Sequence, residues 1–350
     1  MSLLERDQLG RGHADDGGMI VALGGGSGLP VVLTALRHSL PASCRITAIV
    51  TASDDGGSSG VLRRKYGVLP PGDIRNCLLA LARVAPEVSA ALQYRFDAVE
   101  GPVAEHPVGN LLLTALDMVA ADEVTAVRLA AELLGVSDRV LPSTTRRIDL
   151  VADLVDGRSV HGESAIPRSG MPIKRVRTDP ADPATTPGVL QALTEARAII
   201  LGPGSLYTSV LANLVIPGVV EAVARSRAVR IFVCNAMTEP GETDGYDIAE
   251  HLGALAAHGL DPALLDYVIV NTTPIPPKTR ARYAAEGAVP VNPDVVPPGE
   301  PPVIVRADVL DVGPVARHAP EKLGPILREL SSRRVDPVLC SSAPGPMAAR

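Results

Sequence analysis

The chain of 350 residues has few aromatic side chains, and this scarcity limits what it can bind. It contains no Trp and only two Phe, so it offers little on which the bases of a single-stranded nucleic acid could stack. Its formal net charge is −6, whereas a nucleic-acid-binding domain usually carries a basic face. We therefore expect no nucleic-acid partner.

Cysteine is scarce as well, and no apolar run is long. The four cysteines lie far apart without a C-x-x-C pair; they are Cys44, Cys77, Cys234 and Cys340. This spacing predicts isolated thiols in a reducing compartment rather than disulfides or a zinc site. No apolar run reaches membrane-spanning length, and the N-terminus has acidic and glycine residues where a signal peptide needs an apolar core. We expect a cytoplasmic protein without membrane insertion.

Two well-known nucleotide-binding motifs are also absent. Three residues after Gly26 the chain has Leu29, so the G-x-G-x-x-G fingerprint of dinucleotide-binding proteins fails. No Gly-Lys-Ser or Gly-Lys-Thr follows the same glycines, so the P-loop pattern fails too. These glycines alone therefore indicate neither NAD nor ATP.

The sequence does contain a regular alternation of strand-like apolar runs and helix-like segments. This alternation predicts an α/β fold with a doubly wound, mostly parallel sheet and helices on both faces. Residues 148–154 and 158–163, separated by Asp156-Gly157, predict one small antiparallel hairpin. We expect a disordered leader over residues 1–18, a single domain over 19–332 and a disordered tail over 333–350.

The most informative stretch is a glycine-rich turn at residues 24–28. A short apolar run at 19–23 leads into it, and a helical pattern from Pro30 to His38 follows. A helix that begins directly after such a turn presents unpaired N–H groups and its positive dipole end, which favours an anion. Glycine lets an oxyanion approach the backbone closely. The stretch predicts a phosphate or diphosphate site; the alternative is a tight turn that binds nothing.

Three more predicted strands end in small polar or glycine-rich loops, at residues 54–60, 202–209 and 235–243. In a parallel sheet the loops at the carboxyl ends of the strands lie along one edge. We therefore expect these loops and the first glycine turn to line one crevice. The segment beginning at Gly202 repeats the order of strand, glycines and helix, and could hold the second phosphate or the sugar.

Several polar residues near this crevice have two possible roles. Asp54 and Asp55 could hold Mg²⁺ or a sugar hydroxyl, although one of them could instead cap a turn. Ser58 and Ser59 suit a phosphate but could simply be solvated. Asp73 is predicted to cap the helix that begins near it.

Residues with longer side chains leave similar alternatives. Arg75, with Asn76 beside it, could clamp a phosphate or carboxylate, or form a surface salt bridge. His106 has no Ser or Cys partner at the spacing of a nucleophile elbow, so we predict no catalytic residue. Tyr283 and Arg317 could close over a base and a diphosphate, or could be ordinary surface residues.

Six segments together resemble the YvcK family, the gluconeogenesis factors related to 2-phospho-L-lactate transferase. They are Gly-Gly-Gly-Ser-Gly-Leu at 24–29, Thr-Ala-Ser-Asp-Asp-Gly-Gly-Ser-Ser-Gly at 51–60, Leu-Pro-Pro-Gly-Asp-Ile-Arg-Asn at 69–76, Gly-Asn-Leu-Leu at 109–112, Leu-Gly-Pro-Gly-Ser-Leu-Tyr-Thr-Ser at 201–209 and Met-Thr-Glu-Pro-Gly-Glu-Thr-Asp at 237–244. The resemblance spans residues 19–330. It implies a Rossmann-like fold, a cytoplasmic location, UDP-N-acetylglucosamine as ligand, and a role in cell shape and envelope synthesis during gluconeogenic growth.

The motifs and the resemblance together predict the ligand contacts. They are Gly24, Gly25, Gly26, Ser27, Gly28, Asp54, Asp55, Ser58, Ser59, Arg75, Asn76, Asn110, Gly202, Gly204, Ser205, Thr208, Asn235, Thr238, Tyr283 and Arg317. We expect no required cofactor beyond possible Mg²⁺ at Asp54 and Asp55, a homo-oligomer, and a protein partner in envelope synthesis.

Two alternative functions stay open. One is an Mg²⁺-dependent phosphotransferase like the related transferase, although Leu29-Pro30-Val31 lacks the lysine found at the helix start of that enzyme. The other is an NAD-binding protein, which the failed fingerprint makes the weaker choice.

Overall fold

A computed structural model describes residues 17–96, 101, 103–295 and 302–333. In chain order its elements are β1 (Met19–Gly24), α1 (Gly28–Ser39), β2 (Arg45–Val50), α2 (Gly57–Tyr66), α3 (Pro71–Leu81), α4 (Pro86–Gln93), α5 (Val108–Val119), α6 (Glu123–Leu133), β3 (Arg139–Pro142), β4 (Asp149–Leu154), β5 (Ser159–His161), β6 (Ile173–Asp179), α7 (Val189–Glu195), β7 (Ala198–Leu201), α8 (Ala212–Leu214), α9 (Val219–Arg225), β8 (Val229–Val233), α10 (Ile248–Ala257), β9 (Tyr267–Asn271), α11 (Pro277–Ala285), β10 (Val303–Ala307), β11 (Leu310–Val312), β12 (Ala316–His318) and α12 (Pro320–Ser332). Short 3-10 turns at Ile166–Ser169 and Pro262–Leu264 and a π-helical segment at Leu206–Leu211 complete them.

Seven strands form one parallel sheet in the order β10-β9-β8-β7-β1-β2-β3. From β1 the chain winds outward through β2 to β3, then returns to β7 on the other side of β1 and winds outward to β10. The winding direction therefore reverses between β1 and β7. In open α/β sheets, ligands bind beyond the carboxyl ends of the strands at such a switch point. The predicted doubly wound fold is confirmed.

The central strand β1 shows why helices cover both faces of the sheet. Successive side chains of a strand point to opposite faces. Val21 and Leu23 belong to one hydrophobic core, and Ile20 and Ala22 belong to the other. All four are fully buried, so both faces need a helical layer to exclude water.

The predicted hairpin is confirmed as part of a larger element. Strands β4 and β5 pair antiparallel, and β4 pairs on its other side with β6. The sequence pattern does not predict β6. Strand β6 is rich in charged residues, four of its seven being Lys, Arg or Asp, and so lacks the apolar signal of a strand. Strand β3 was missed as well; it is a short edge strand that ends in a proline, which an edge tolerates.

The structure describes only some of the residues on which the remaining expectations depend. Cys44, Cys77 and Cys234 are buried, whereas Cys340 lies outside the described residues. So do residues 1–16 and 334–350, where the leader and tail were expected. Within the described ranges no single helix has the length and apolar character to cross a bilayer. The bent pair Leu206–Leu214 and Val219–Arg225 has that length and apolar character only when its two helices are taken together.

Candidate functional site

A cavity of about 280 Å³ lies at the switch point of the sheet; we call it the central cavity. The loops that follow β1, β7 and β8 line one side, and α11 with the β11–β12 hairpin lines the other. Its lining residues are Gly26, Ser27, Gly28, Val31, Pro203, Gly204, Ser205, Asn235, Ala236, Met237, Thr238, Glu239, Tyr283, Val315, Ala316, Arg317 and His318. Three of the four loops expected to meet therefore do so at this cavity.

The first glycine loop owes its composition to two different constraints. Gly26 has a positive φ of 57°, and a Cβ there would have only Ser209 Oγ within 4 Å, at 3.7 Å. A side chain at this position would be strained and would extend into open space. At Gly28 a Cβ would lie 2.1 Å from the carbonyl oxygen of Pro203. Gly28 is therefore required by packing between the two loops, whatever binds nearby.

The start of α1 has the features of an anion site, but a side chain of the protein itself already bonds to one of its N–H groups. Ser27 is the N-cap residue and its side chain makes no capping hydrogen bond. The first N–H groups of a helix have no intrahelical partner and lie at its positive end. The N–H of Gly26, however, donates to Asp73 Oδ2 at 2.6 Å. A carboxylate of the protein itself therefore already uses one of the donors that the sequence assigned to a ligand.

The predicted cap by Asp73 is wrong. The N-cap of α3 is Pro70, and no side chain caps this helix. Asp73 lies in the first turn and contacts the glycine loop 47 residues earlier in the chain. Burial raises the pKa of Asp73 to about 6, the Gly26 N–H opposes that shift, and the nearby Asp54 carboxylate adds to it.

The loops after β7 and β8 are joined by a reciprocal pair of hydrogen bonds. The N–H of Gly204 donates to Asn235 Oδ1 at 3.1 Å, and Asn235 Nδ2 donates to the Gly204 carbonyl at 2.9 Å. An amide side chain can both donate and accept, so asparagine suits this bridge. Asn235 therefore fixes the spacing of two cavity walls.

Three glutamates near the strand ends were not predicted; Glu242 is buried, and Glu163 and Glu239 are half-buried. Glu242 accepts hydrogen bonds from the Tyr207 and Thr208 N–H groups and from the Thr208 hydroxyl. Burial and the neighbouring Glu239 raise its pKa to about 7. Burial also raises the pKa of Glu239, and raises that of Glu163 well above its ordinary value. Glu239 and Glu242 do lie in the loop predicted at the crevice, but nothing in the local pattern shows that these carboxyls are withdrawn from water.

The C-terminal hairpin brings Arg317 to the central cavity. The Tyr283 hydroxyl accepts a hydrogen bond from the Ala316 N–H at 3.2 Å and donates to the Ala316 carbonyl at 3.4 Å. Tyr283 thus holds the strand that carries Arg317, while its ring lines the cavity. Beside it, burial lowers the pKa of His318 to about 4, which the Cys234 carbonyl opposes. His318 is therefore neutral at physiological pH.

A second cavity, of about 240 Å³, lies beside α2 and α3; we call it the side cavity. It is lined by Asp54, Gly56, Gly57, Ser58, Ser59, Gly72, Asp73, Arg75, Asn76, Arg95 and Asn110. Arg75 Nη1 donates to Asn110 Oδ1 at 2.5 Å, and Nη2 donates to Asn76 Oδ1 at 2.8 Å. The alternative of a surface salt bridge for Arg75 is wrong, because its hydrogen-bond partners in the described structure are neutral amides.

The two neighbouring aspartates face different places. Asp54 lines the side cavity, and its Oδ1 accepts the Gly56 N–H at 2.9 Å. Asp55 Oδ1 instead accepts hydrogen bonds from the N–H and the hydroxyl of Ser164. The two carboxylates therefore have different hydrogen-bond partners, and across the described ranges no three His, Cys, Asp or Glu side chains cluster like metal ligands. Asp54 alone still has an oxygen free for a cation in the side cavity.

The twenty predicted contacts thus fall into three groups: those that line the central cavity, those that line the side cavity and those that line neither. The central cavity is lined by Gly26, Ser27, Gly28, Gly204, Ser205, Asn235, Thr238, Tyr283 and Arg317. The side cavity is lined by Asp54, Ser58, Ser59, Arg75, Asn76 and Asn110. Neither cavity is lined by Gly24, Gly25, Asp55, Gly202 or Thr208. Thr208, for example, holds Glu242.

Comparison with known proteins agrees with this architecture. The family model for 2-phospho-L-lactate transferase CofD matches residues 20–308. The gluconeogenesis factor of Bacillus subtilis is 42% identical over 276 residues, which are 79% of this chain and 86% of that protein. That of Halalkalibacterium halodurans is 43% identical over 272 residues, 78% of this chain and 83% of that protein. The crystal structure of a UPF0052 family member from Bacillus halodurans matches with a TM-score of 0.82 and 38% identity, covering 89% of this chain and 98% of that chain.

The fold and the cavity together define a doubly wound α/β protein with a glycine-rich loop at the switch point of its sheet. The chain belongs to the CofD family, within the branch of the gluconeogenesis factors, or YvcK family.

Proposed function

We propose that this protein is a cytoplasmic regulator that binds a nucleotide sugar, UDP-N-acetylglucosamine, in the central cavity. The observation that carries the proposal is the position of Arg317 at the same cavity as the start of α1. A guanidinium and a helix N-terminus both favour phosphate oxygens. The diphosphate would bind at Ser27 and Gly28, and the sugar and base would lie along the loops after β7 and β8.

A regulatory role is favoured over catalysis in the central cavity by its hydrogen bonds. Ser27 and Ser205 line it together with His318. His318 forms no hydrogen bond with either serine in the described structure, and the side-chain partner of Ser205 is the carboxyl of Glu239, so the cavity offers no serine paired with an imidazole base. Occupancy of the cavity would instead shift the C-terminal hairpin, which a protein partner in envelope synthesis and cell shape could read. Such a shift requires different ligand affinities in the two conformations.

The family match supports one alternative, a transferase of phosphorus-containing groups, because the family model is that of 2-phospho-L-lactate transferase. Asp54 would hold Mg²⁺ in that case. An NAD-binding protein is the third candidate. We also propose a homo-oligomer, which sedimentation of the purified chain would test.

Calorimetry separates these functions. UDP-N-acetylglucosamine, GDP and NAD are titrated with and without Mg²⁺, and the mixtures are followed by phosphorus NMR. The proposal expects UDP-N-acetylglucosamine to bind without Mg²⁺ and to stay intact. Chemical turnover of the bound ligand would favour the transferase, and tight binding of NAD alone would favour the third candidate.

A further inference from the structure

Ser58, which lines the side cavity, is in direct contact with the histidine His106. Ser58 Oγ lies 2.8 Å from His106 Nδ1, although the two residues are 48 positions apart in the chain. No such partner for His106 is visible in the sequence, because neither residue lies in a nucleophile elbow. A serine hydroxyl within hydrogen-bond reach of an imidazole is the basic arrangement of an activated nucleophile.

A chain of three hydrogen bonds orients this hydroxyl. Arg75 donates to Asn110 Oδ1, and a guanidinium can only donate. The amide of Asn110 is thereby turned so that its Nδ2 donates to Ser58 Oγ at 2.9 Å. With a lone pair of Ser58 engaged by Asn110, its hydroxyl proton is directed at His106 Nδ1. Imidazole is a suitable base for this proton near neutral pH.

The surroundings of Ser58 indicate the charge of a substrate. Arg75 and Arg95 both line the side cavity, and the described structure shows no ion pair for either. Burial and the neighbouring Arg95 lower the pKa of Arg75, and the buried Nε of Arg75 has no hydrogen-bond partner. Ser58 also lies in the first turn of α2, whose positive dipole end faces the same space.

Space for a small group exists next to the hydroxyl. A Cβ at Gly57 would meet nothing within 4 Å, so the approach to Ser58 from that side is open. Asp54 and Asp73 also line this cavity. Asp54 directs Oδ1 to Gly56, and Asp73 directs Oδ2 to Gly26. The two arginines keep N–H donors for the oxygens of a phosphoryl group, which suits them better than a neutral acyl ester does.

We propose that Ser58 is a nucleophile with His106 as its base, and that it accepts a phosphoryl group from a small phosphoanhydride or phosphomonoester. A bond forms between Ser58 Oγ and phosphorus, and the bond from phosphorus to the leaving oxygen breaks. The hydroxyl proton passes to His106 and from there to the departing oxygen. Water then displaces Ser58 from phosphorus, which releases inorganic phosphate and restores the hydroxyl. This activity is independent of nucleotide binding in the central cavity.

The full chain incubated with acetyl phosphate or p-nitrophenyl phosphate tests this proposal. Mass spectrometry should find one phosphoserine, at Ser58, and p-nitrophenol should be released. Ser58→Ala should abolish both signals, and His106→Gln should slow them about 100-fold or more, the usual contribution of a general base. Ser159→Ala and His38→Gln change exposed residues outside both cavities and should match the wild type. Absence of phosphoserine at Ser58 with both donors, or an unchanged rate in His106→Gln, would overturn the proposal.

A second variant measures the activation of the nucleophile without any phosphoryl donor. Ser58→Cys places a thiol at the same position, where alkylation depends on the thiolate. The anionic reagent iodoacetate should react faster than neutral iodoacetamide, because Arg75 and Arg95 attract it. Adding His106→Gln should slow both reagents and raise the pH at which alkylation is half-maximal. A pH midpoint that is identical with and without His106 would contradict the pairing even if the variants fold normally.

Discussion

The carboxylate of Asp73, in the first turn of α3, accepts the N–H of Gly26 at 2.6 Å, although the two residues lie 47 positions apart in the chain. A negative group of the protein thus lies beside the loop where a phosphate is expected to bind. Asp73 also lines the side cavity, so its negative charge acts on the ligand-binding space of both cavities. Its protonation should influence both the stability of the fold and the affinity for an anion.

The pKa of Asp73 predicts a pH-dependent stability. The folded-state pKa of about 6 lies above the ordinary value of 3.8 for an aspartate, so the folded protein binds this proton more tightly than the unfolded chain. The contribution of Asp73 to stability therefore falls as pH rises from about 4 to 6 and stays low above that range. Asp73→Asn keeps an acceptor for Gly26 without the charge. It should raise the free energy of unfolding by about 3 kcal/mol at pH 8, since one pKa unit corresponds to about 1.4 kcal/mol.

Urea unfolding of wild type and Asp73→Asn at pH 5 and pH 8 measures this effect, and the gain should shrink at the lower pH. The same variant should bind UDP-N-acetylglucosamine more tightly at pH 8, because a charge that repels phosphate is removed. Destabilisation at pH 8 would show that the ionised carboxylate is favourable where it lies.

Gly26→Ala tests the approach of a ligand to the glycine loop. The new methyl group would extend into the central cavity, and the positive φ would cost about 1 kcal/mol of stability. Calorimetry should show at least a tenfold loss of affinity for the nucleotide sugar. Gly245→Ala is the matched control, since Gly245 has φ of 71° and nothing within 4 Å of a Cβ. It should lose similar stability and keep full affinity; equal affinity in both variants would exclude the loop as the phosphate site.

Gly28→Ala should act on the fold. Its Cβ would overlap the Pro203 carbonyl at 2.1 Å, a backbone atom that cannot turn aside. We expect the free energy of unfolding to fall by about 3 kcal/mol, the upper end of ordinary overpacking costs. Gly253→Ala, in α10 with nothing within 4 Å of its Cβ, should be neutral or slightly stabilising. Chemical denaturation compares the two, and a stable Gly28→Ala would mean that the loops can separate.

Arg317→Gln should weaken binding of the diphosphate without unfolding the protein. The side chain is exposed at the cavity rim, and a charge-assisted hydrogen bond is worth about 1.5–3 kcal/mol, or roughly 10- to 100-fold in affinity. Calorimetry at two salt concentrations should show a smaller salt dependence for the variant. Arg128→Gln removes an exposed arginine of α6 that pairs with Glu132 and should leave the affinity unchanged. If both variants bind alike, Arg317 does not contact the ligand.

Much of the fold followed from local chemistry. The apolar runs of β1, β2, β7 and β8 and the glycines that end them are visible in the sequence, and their parallel order places their ends together. Strands β3 and β6 were not recognised, since a short edge strand and a strand rich in charge lack the apolar signal that sequence patterns rely on.

The sequence by itself determined the doubly wound class and the glycine loop at its switch point, because strand burial and backbone freedom are local properties of the residues. Only the tertiary structure decided which polar groups meet there. Asp73 contacts Gly26, and Ser58 contacts His106, across 47 and 48 positions of chain. Such pairings depend on how the helices pack over the sheet. That packing brings together side chains that lie far apart in the chain, and no local sequence pattern predicts these contacts.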